Sequence, residues 1–143
     1  MKFKLPEKRQ GPQVWYGQEI KSSNEWIYTL TNQEIKEIES ALKLVKNTDV
    51  AAIKKNNFPL ASLESRLRKI SDDVMDGRGF ALIRGLPVEQ WSIEESAKAY
   101  FGIGSYFGNA RSQNASGHVL GHVRDLGRDA INDPSARIYQ TKE

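Results

Sequence analysis

Two histidines, His118 and His122, are the residues whose type and spacing point first to metal chemistry. Because they are four residues apart, they would share one face of a helix, as the zinc ligands of many proteases do. The neighbouring Val119, Gly121 and Val123 favour a strand instead. On a strand, positions with this spacing lie about 13 Å apart, which is too far for one metal ion. We therefore interpret both histidines as structural, with a pocket-facing role as the alternative.

The remaining chemistry-bearing residue types form no recognisable catalytic pattern. The chain has no cysteine and no third histidine, so we predict no complete metal site within it. Glycines are frequent over 102–108, but they follow a predicted helix, whereas phosphate-binding glycines precede one. None of the serines lies in a nucleophile-elbow motif.

Composition indicates a single compact domain without an obvious charged partner. The chain has 143 residues, of which 38% are hydrophobic, and its 21 basic and 18 acidic residues give a net charge of +3. This balance favours neither a nucleic-acid nor a membrane partner, and no apolar run approaches the length of about 20 residues that spans a bilayer. A short basic arm at 2–9 is predicted to be solvated, with phosphate contact as the alternative. We predict a cytoplasmic protein, whose oligomeric state the sequence does not define.

Three helices and three strands are predicted. Thr31 with Glu34, and Ser92 with Glu95, form capping boxes that mark two helix starts. Apolar stripes at helical spacing follow; they comprise Ile35, Ile38, Leu42 and Val45, then Leu63, Leu67, Ile70 and Val74, then Ile93, Ala97, Tyr100 and Phe101. The predicted helices cover 32–46, 60–75 and 92–102, and the predicted strands 80–84, 118–124 and 136–141. The fold class is therefore α+β.

The clearest strand is the apolar run at 80–83, which lies between Gly79 and the Gly85-Leu86-Pro87 turn. Its continuous hydrophobicity predicts a strand that is buried on both faces. Arg84 ends it, and we interpret this residue as part of a structural ion pair, with an anion-binding role as the alternative.

Several segments, taken in order, resemble the N-terminal part of the taurine dioxygenase-like (TauD/TfdA) family. They are GFALIRGLP at 79–87, YFG at 106–108, QN at 113–114, GHVRD at 121–125 and RIYQT at 137–141, with the segments at 11–15 and 26–28 before them. The resemblance implies an incomplete double-stranded β-helix (jelly-roll) core with N-terminal helices packed on it. It also implies two regions, an N-terminal arm and extended segment over 1–30 and the N-terminal part of the dioxygenase domain over 31–143.

The same resemblance implies an iron(II)- and 2-oxoglutarate-dependent dioxygenase that hydroxylates a small molecule. The family binds iron through a His-x-Asp/Glu pair and a distal histidine, and this sequence contains no His-x-Asp or His-x-Glu. We therefore expect the cofactors to bind the full-length parent and not this chain. The residues at 136–143 read as a strand that has begun, so we expect a fragment that is inactive alone. The alternative is a shortened, non-catalytic binding or interaction module that offers an open sheet edge to a partner strand.

Substrate contacts are implied for two polar segments. In the family, the segment after 107–108 runs along the substrate pocket, so Arg111, Gln113 and Asn114 are candidates for substrate binding. Tyr139 and Gln140, on the predicted strand that enters the site, are further candidates. Loop hydrogen bonding and sheet packing are the respective alternatives.

Overall fold

A computed structural model of the chain describes residues 6–112, 117–121, 127, 129 and 131–132. Backbone contacts divide the chain into two compact units, 1–109 and 110–143. Every helix and strand among the described residues lies in the first unit. The domain limits given above, 1–30 and 31–143, stay a prediction.

The three predicted helices are confirmed. In order they are α2 (Asn32–Leu44), α3 (Glu64–Met75) and α4 (Ile93–Gly104), and 3-10 turns occur at Val50–Ala52 and Val88–Gln90. Both capping boxes form, since the Thr31 and Ser92 hydroxyls accept from the amides of Glu34 and Glu95 while those two carboxylates accept in return. A further helix, α1 (Gly17–Ser22), lies within the segment that was predicted to be extended.

Two short parallel strands form the only sheet of the described residues. β1 (Ile27–Thr29) pairs with β2 (Leu82–Arg84), with Tyr28 opposite Ile83. The strand predicted over 80–84 is thereby confirmed in its second half. The prediction that it is buried on both faces is wrong, because Leu82 is 37% exposed. Although the sequence of this strand is continuously apolar, its side chains alternate in exposure. Ile83 packs against the core, while the residues on either side face outward.

The core of the first unit lies between α2, α3, α4 and the 53–60 loop. Its buried hydrophobic residues are Leu30, Ile38, Ala41, Leu42, Val45, Ile53, Phe58, Leu60, Leu63, Leu67, Ile70, Ala99 and Ile103. The stripe predicted for α4 is wrong at two positions, since Ile93 and Tyr100 are 73% and 67% exposed. The helix instead buries Lys98, Ala99, Gly102 and Ile103, because the small residues among them allow close approach to the core.

Tyr106 joins the end of α4 to the 53–60 loop. Its hydroxyl donates to the Phe58 carbonyl over 2.9 Å and accepts from the Leu60 amide over 2.8 Å. The loop is thus hydrogen-bonded at the two residues that place its largest side chains in the core, so its path is determined by α4.

The described residues of the second unit contain neither helix nor strand. The strand predicted over 118–124 is wrong for 118–121, because no neighbouring strand pairs with these residues in the described part of the chain. Residues 122–124 and the strand predicted over 136–141 lie outside the described residues. The mixed helices and small sheet agree with the α+β class, and the jelly-roll core stays a prediction.

Candidate functional site

Of the residues predicted to contact substrate, the structure describes one. Arg111 lies at an exposed position just after the first unit. Gln113, Asn114, Tyr139 and Gln140 lie outside the described residues. The substrate-binding role of all five therefore stays a prediction.

The two histidines are not brought together by any described element. His118 is exposed, in a stretch without regular secondary structure, and His122 lies outside the described residues. Their interpretation as structural histidines stays a prediction.

A groove of about 730 Å³ in the first unit is lined by residues of α2, of α4 and of the segments next to them. Charged side chains of both signs and one large aromatic ring line it; they include Glu39, Lys43, Lys46, Trp91, Glu94 and Lys98. At its edge the pKa of Glu95 is lowered, because the carboxylate accepts hydrogen bonds from the backbone and side chain of Ser92. This carboxylate thus stabilises the start of α4.

Lys98 is the buried charge of this groove, and the sequence pattern did not predict its burial. It is 4% exposed, and its ammonium donates to the Lys46 carbonyl over 2.6 Å and pairs with Glu94 over 2.7 Å. Lys46 follows the end of α2, where backbone carbonyls lack helical partners. The ammonium therefore connects the turn that follows α2 to α4. One feature of the sequence could have indicated this burial. Lys98 lies between Ala97 and Ala99, whose small side chains leave room for its stem against the core.

A second charged group joins α2, α3 and the sheet. The Arg66 guanidinium contacts both Glu34 oxygens over 2.8 and 2.9 Å and donates to the Thr29 carbonyl over 2.9 Å. Burial alone raises the pKa of Glu34, but hydrogen bonds from the Thr31 amide and from Arg66 outweigh it and hold that pKa below its ordinary value. The carboxylate is thus ionised. It caps the start of α2 and also binds Arg66, which donates to the edge of the sheet.

Aromatic and charged residues surround the other end of the sheet. The Trp15 and Trp26 rings contact Phe80, with ring centroids 5.1 and 5.7 Å away, so the three aromatic side chains pack together. The Tyr28 hydroxyl donates to Asp73. This bond first, and burial second, raises the pKa of Tyr28, so the phenol stays protonated and acts as a structural donor.

Arg84 does not form the ion pair predicted for it within the described part of the chain, where its side chain is exposed. Its backbone carbonyl instead accepts from the Leu30 amide over 2.8 Å. The sequence pattern identified the strand end correctly, but the backbone of Arg84 makes the contact there.

The residues present do not fit the iron site that the resemblance implies. Within the described ranges, no three His, Cys, Asp or Glu side chains group together as a metal site. The whole sequence supplies two histidines and no His-x-Asp or His-x-Glu, whereas the facial triad needs two histidines and one carboxylate on one ion.

None of the helices in the described residues combines the length and hydropathy that crossing a bilayer requires.

Two curated proteins are similar to the chain over most of its length. It is 26% identical to FR-33289 synthase of Streptomyces rubellomurinus over 135 residues, which cover 93% of this chain and 40% of that protein. It is 29% identical to the taurine hydroxylase-like protein SAT17 of Stachybotrys chartarum over 138 residues, which cover 91% of this chain and 36% of that protein. The chain thus spans less than half the length of these relatives. No family model matches it.

The resemblance in the sequence was carried by short segments, among them 79–87, 106–108 and 137–141. Both similarities extend well beyond these segments, over at least 91% of the chain. The resemblance predicted from the sequence is therefore confirmed: the chain is similar over most of its length to two curated proteins, one of which is named as taurine hydroxylase-like.

Proposed function

We propose that this chain is the N-terminal part of an iron(II)- and 2-oxoglutarate-dependent dioxygenase that hydroxylates a small molecule. The observation that carries the proposal is the unequal coverage of the two alignments. They include 91–93% of this chain but only 36–40% of each relative. One of these relatives is named as a taurine hydroxylase-like protein. The parent would have a jelly-roll core and a cytoplasmic location, as the resemblance implies.

In this proposal, the chain supplies scaffold and substrate contacts but not the metal centre. Its sequence lacks a His-x-Asp or His-x-Glu pair, so the iron ligands and the 2-oxoglutarate site belong to the rest of the parent. Iron and 2-oxoglutarate would supply the oxidising chemistry there. Arg111, Gln113 and Asn114 would contact the substrate, and Tyr139 and Gln140, on the predicted strand that enters the site, would be further contacts.

The test begins with the coding DNA. We expect the reading frame to continue past Glu143 into a His-x-Asp or His-x-Glu motif; a stop codon directly after Glu143 would contradict the proposal. The longer polypeptide and the present chain are then incubated separately with iron(II), 2-oxoglutarate, oxygen and taurine as the first probe substrate.

Succinate release by the longer polypeptide alone is the expected result. Succinate formation by the present chain above a protein-free blank would overturn the prediction that it is inactive alone. If the longer polypeptide forms succinate without consuming taurine, the oxygenase proposal stands and taurine is excluded as the substrate.

A further inference from the structure

The segment before β1 is held to the first unit by few contacts. Residues 6–19 are all exposed, and the helix α1, which completes the segment, buries no residue. We call residues 6–22 the strap. Because burial of apolar surface is the main source of stability in a folded chain, a segment that buries so little belongs to its least stable part.

Trp15 connects the strap to a distant part of the chain. Its indole Nε1 donates to the Arg78 carbonyl over 3.1 Å, and its ring lies edge-on to Phe80, with the ring centroids 5.1 Å apart. Within the described residues, no other strap residue forms a hydrogen bond, an ion pair or a ring contact with a residue beyond Trp26. One side chain therefore fastens the strap to the residues that precede β2.

Trp26 holds the end of the strap that leads into β1. Its indole Nε1 donates to the Ser23 carbonyl over 2.8 Å and to the Ile20 carbonyl over 3.2 Å. The backbone at Ser23 is extended, so α1 ends there. The strap is thus attached at this end through its neighbours in the sequence, and farther along through Trp15.

The helix in the strap is too short to be stable alone. α1 has six residues, and at its start the Tyr16 amide donates to the Glu19 carboxylate over 3.0 Å while the Ile20 amide donates to the Tyr16 carbonyl over 3.2 Å. Helices shorter than about 12 residues are marginal in water, because few bonds offset the cost of starting the helix. Docking of Trp15 and formation of α1 should therefore occur together, as one cooperative step.

We propose that the strap is a two-state cover on Phe80, closed by the Trp15 side chain. In the closed state Trp15 lies against Phe80 and α1 is helical; in the open state Trp15 has left the Phe80 ring and the Arg78 carbonyl, and α1 is unwound. One hydrogen bond and one aromatic pair each change an equilibrium constant by about tenfold or less, so the open state should hold on the order of 1% of the molecules. The cover regulates access to the aromatic surface beside β2, and it does not rest on the function proposed above.

Nitrogen-15 relaxation dispersion on the present chain tests whether the parts of the strap open together. We expect exchange broadening at the Trp15 indole Nε1 and at the Ile20 amide, described by one population and one rate in the microsecond-to-millisecond range. The Trp91 indole, which lines the groove of α2 and α4, is the internal control and should show no such exchange. A flat profile at Trp15, or unrelated rates at Trp15 and Ile20, would overturn the inference.

A matched pair of substitutions gives a second readout. We expect the Ile20 amide to exchange with solvent about tenfold faster, or more, in Trp15→Ala than in the wild type, since the open state becomes more populated. Val14→Ala is the control, because Val14 is in the same segment and is 42% exposed, against 43% for Trp15. This control should leave the exchange of Ile20 unchanged.

Global stability distinguishes a cover from a part of the core. If the strap opens independently, Trp15→Ala should leave the midpoint of urea unfolding, followed by far-UV circular dichroism of α2, α3 and α4, close to that of the wild type. A clearly lowered midpoint would show that Trp15 stabilises the whole unit and would overturn the inference. Equal exchange of the Ile20 amide in the wild type and in Trp15→Ala would overturn it as well.

Discussion

Replacing Gly102 with alanine is expected to destabilise the first unit, although alanine is the better helix former. Gly102 lies within α4 and faces the fully buried Phe58 ring. A Cβ at this position would be 2.5 Å from Cδ1 of Phe58 and 2.6 Å from its Cγ and Cε1. Carbon atoms in favourable contact are about 3.5–4.0 Å apart, so the new methyl group overlaps the ring by about 1 Å.

Two opposing terms determine the size of the effect. In the interior of a helix, alanine is favoured over glycine by about 1 kcal/mol, whereas overpacking a core costs about 1–3 kcal/mol. The Phe58 ring cannot move away easily, because the Tyr106 hydroxyl holds the Phe58 carbonyl over 2.9 Å. The cost therefore lies at the upper end of its range, and we expect a net loss of about 2 kcal/mol in the free energy of unfolding.

Urea denaturation followed by far-UV circular dichroism measures this loss. Gly104→Ala is the matched control, since it lies at the end of the same helix and a Cβ there would meet no atom within 4 Å. We expect this control to be neutral or to stabilise by at most about 1 kcal/mol. Adding Phe58→Leu to Gly102→Ala makes room for the methyl group, so the double variant should lose less than the sum of the two single changes. Refutation would be a Gly102→Ala protein as stable as the wild type, or strict additivity with Phe58→Leu.

Two further predictions concern the buried charges. Lys98→Met keeps the apolar stem but leaves the Lys46 carbonyl without its ammonium partner, so the free energy of unfolding should fall by about 1–3 kcal/mol in urea titrations. An unchanged midpoint would show that this hydrogen bond does not stabilise the fold. Glu34→Gln weakens the contact with Arg66 and should lower stability at neutral pH by about 1 kcal/mol. Because the folded-state pKa of Glu34 is depressed, its contribution is present above the unfolded pKa of about 4.3 and is lost as the pH falls through the lower folded value. Stability measured against pH should thus fall less steeply below about pH 4.3 in Glu34→Gln than in the wild type. Parallel curves for the two proteins would contradict a contribution of Glu34 to the pH dependence of stability.

Local signals in the sequence predicted the helices well. The Thr31 and Ser92 capping boxes determine where α2 and α4 begin, because both partners of each hydrogen bond lie within four residues of one another. Such contacts depend on nearby residues alone, so a sequence pattern is sufficient to recognise them.

The features that the sequence did not predict depend on contacts between residues that are far apart in the chain. The strand β1 exists because Tyr28 lies opposite Ile83 in a parallel pair, and no local pattern at 27–29 reveals a partner more than fifty residues away. The burial of Lys98 depends likewise on the carbonyl of Lys46 at the end of another helix. Arg66, which donates to the edge of the sheet, was indistinguishable in sequence from an ordinary solvated helix residue.

The candidate site was predicted chiefly by resemblance. The segments that resemble taurine dioxygenase-like proteins led to a relationship that two curated proteins confirm. Composition and spacing alone indicated only that this chain has no complete metal site. Its two histidines and its lack of cysteine restrict the ligands available, so the iron of the proposed parent would need ligands from outside this chain.

Succinate formation is the most direct test of the central claim. The longer polypeptide that we propose the reading frame encodes, supplied with iron(II), 2-oxoglutarate and oxygen, should convert 2-oxoglutarate to succinate, while the present chain under identical conditions should match the protein-free blank. A longer polypeptide that has a His-x-Asp or His-x-Glu motif and yet forms no succinate, either with taurine or with a panel of other small molecules, would contradict the claim.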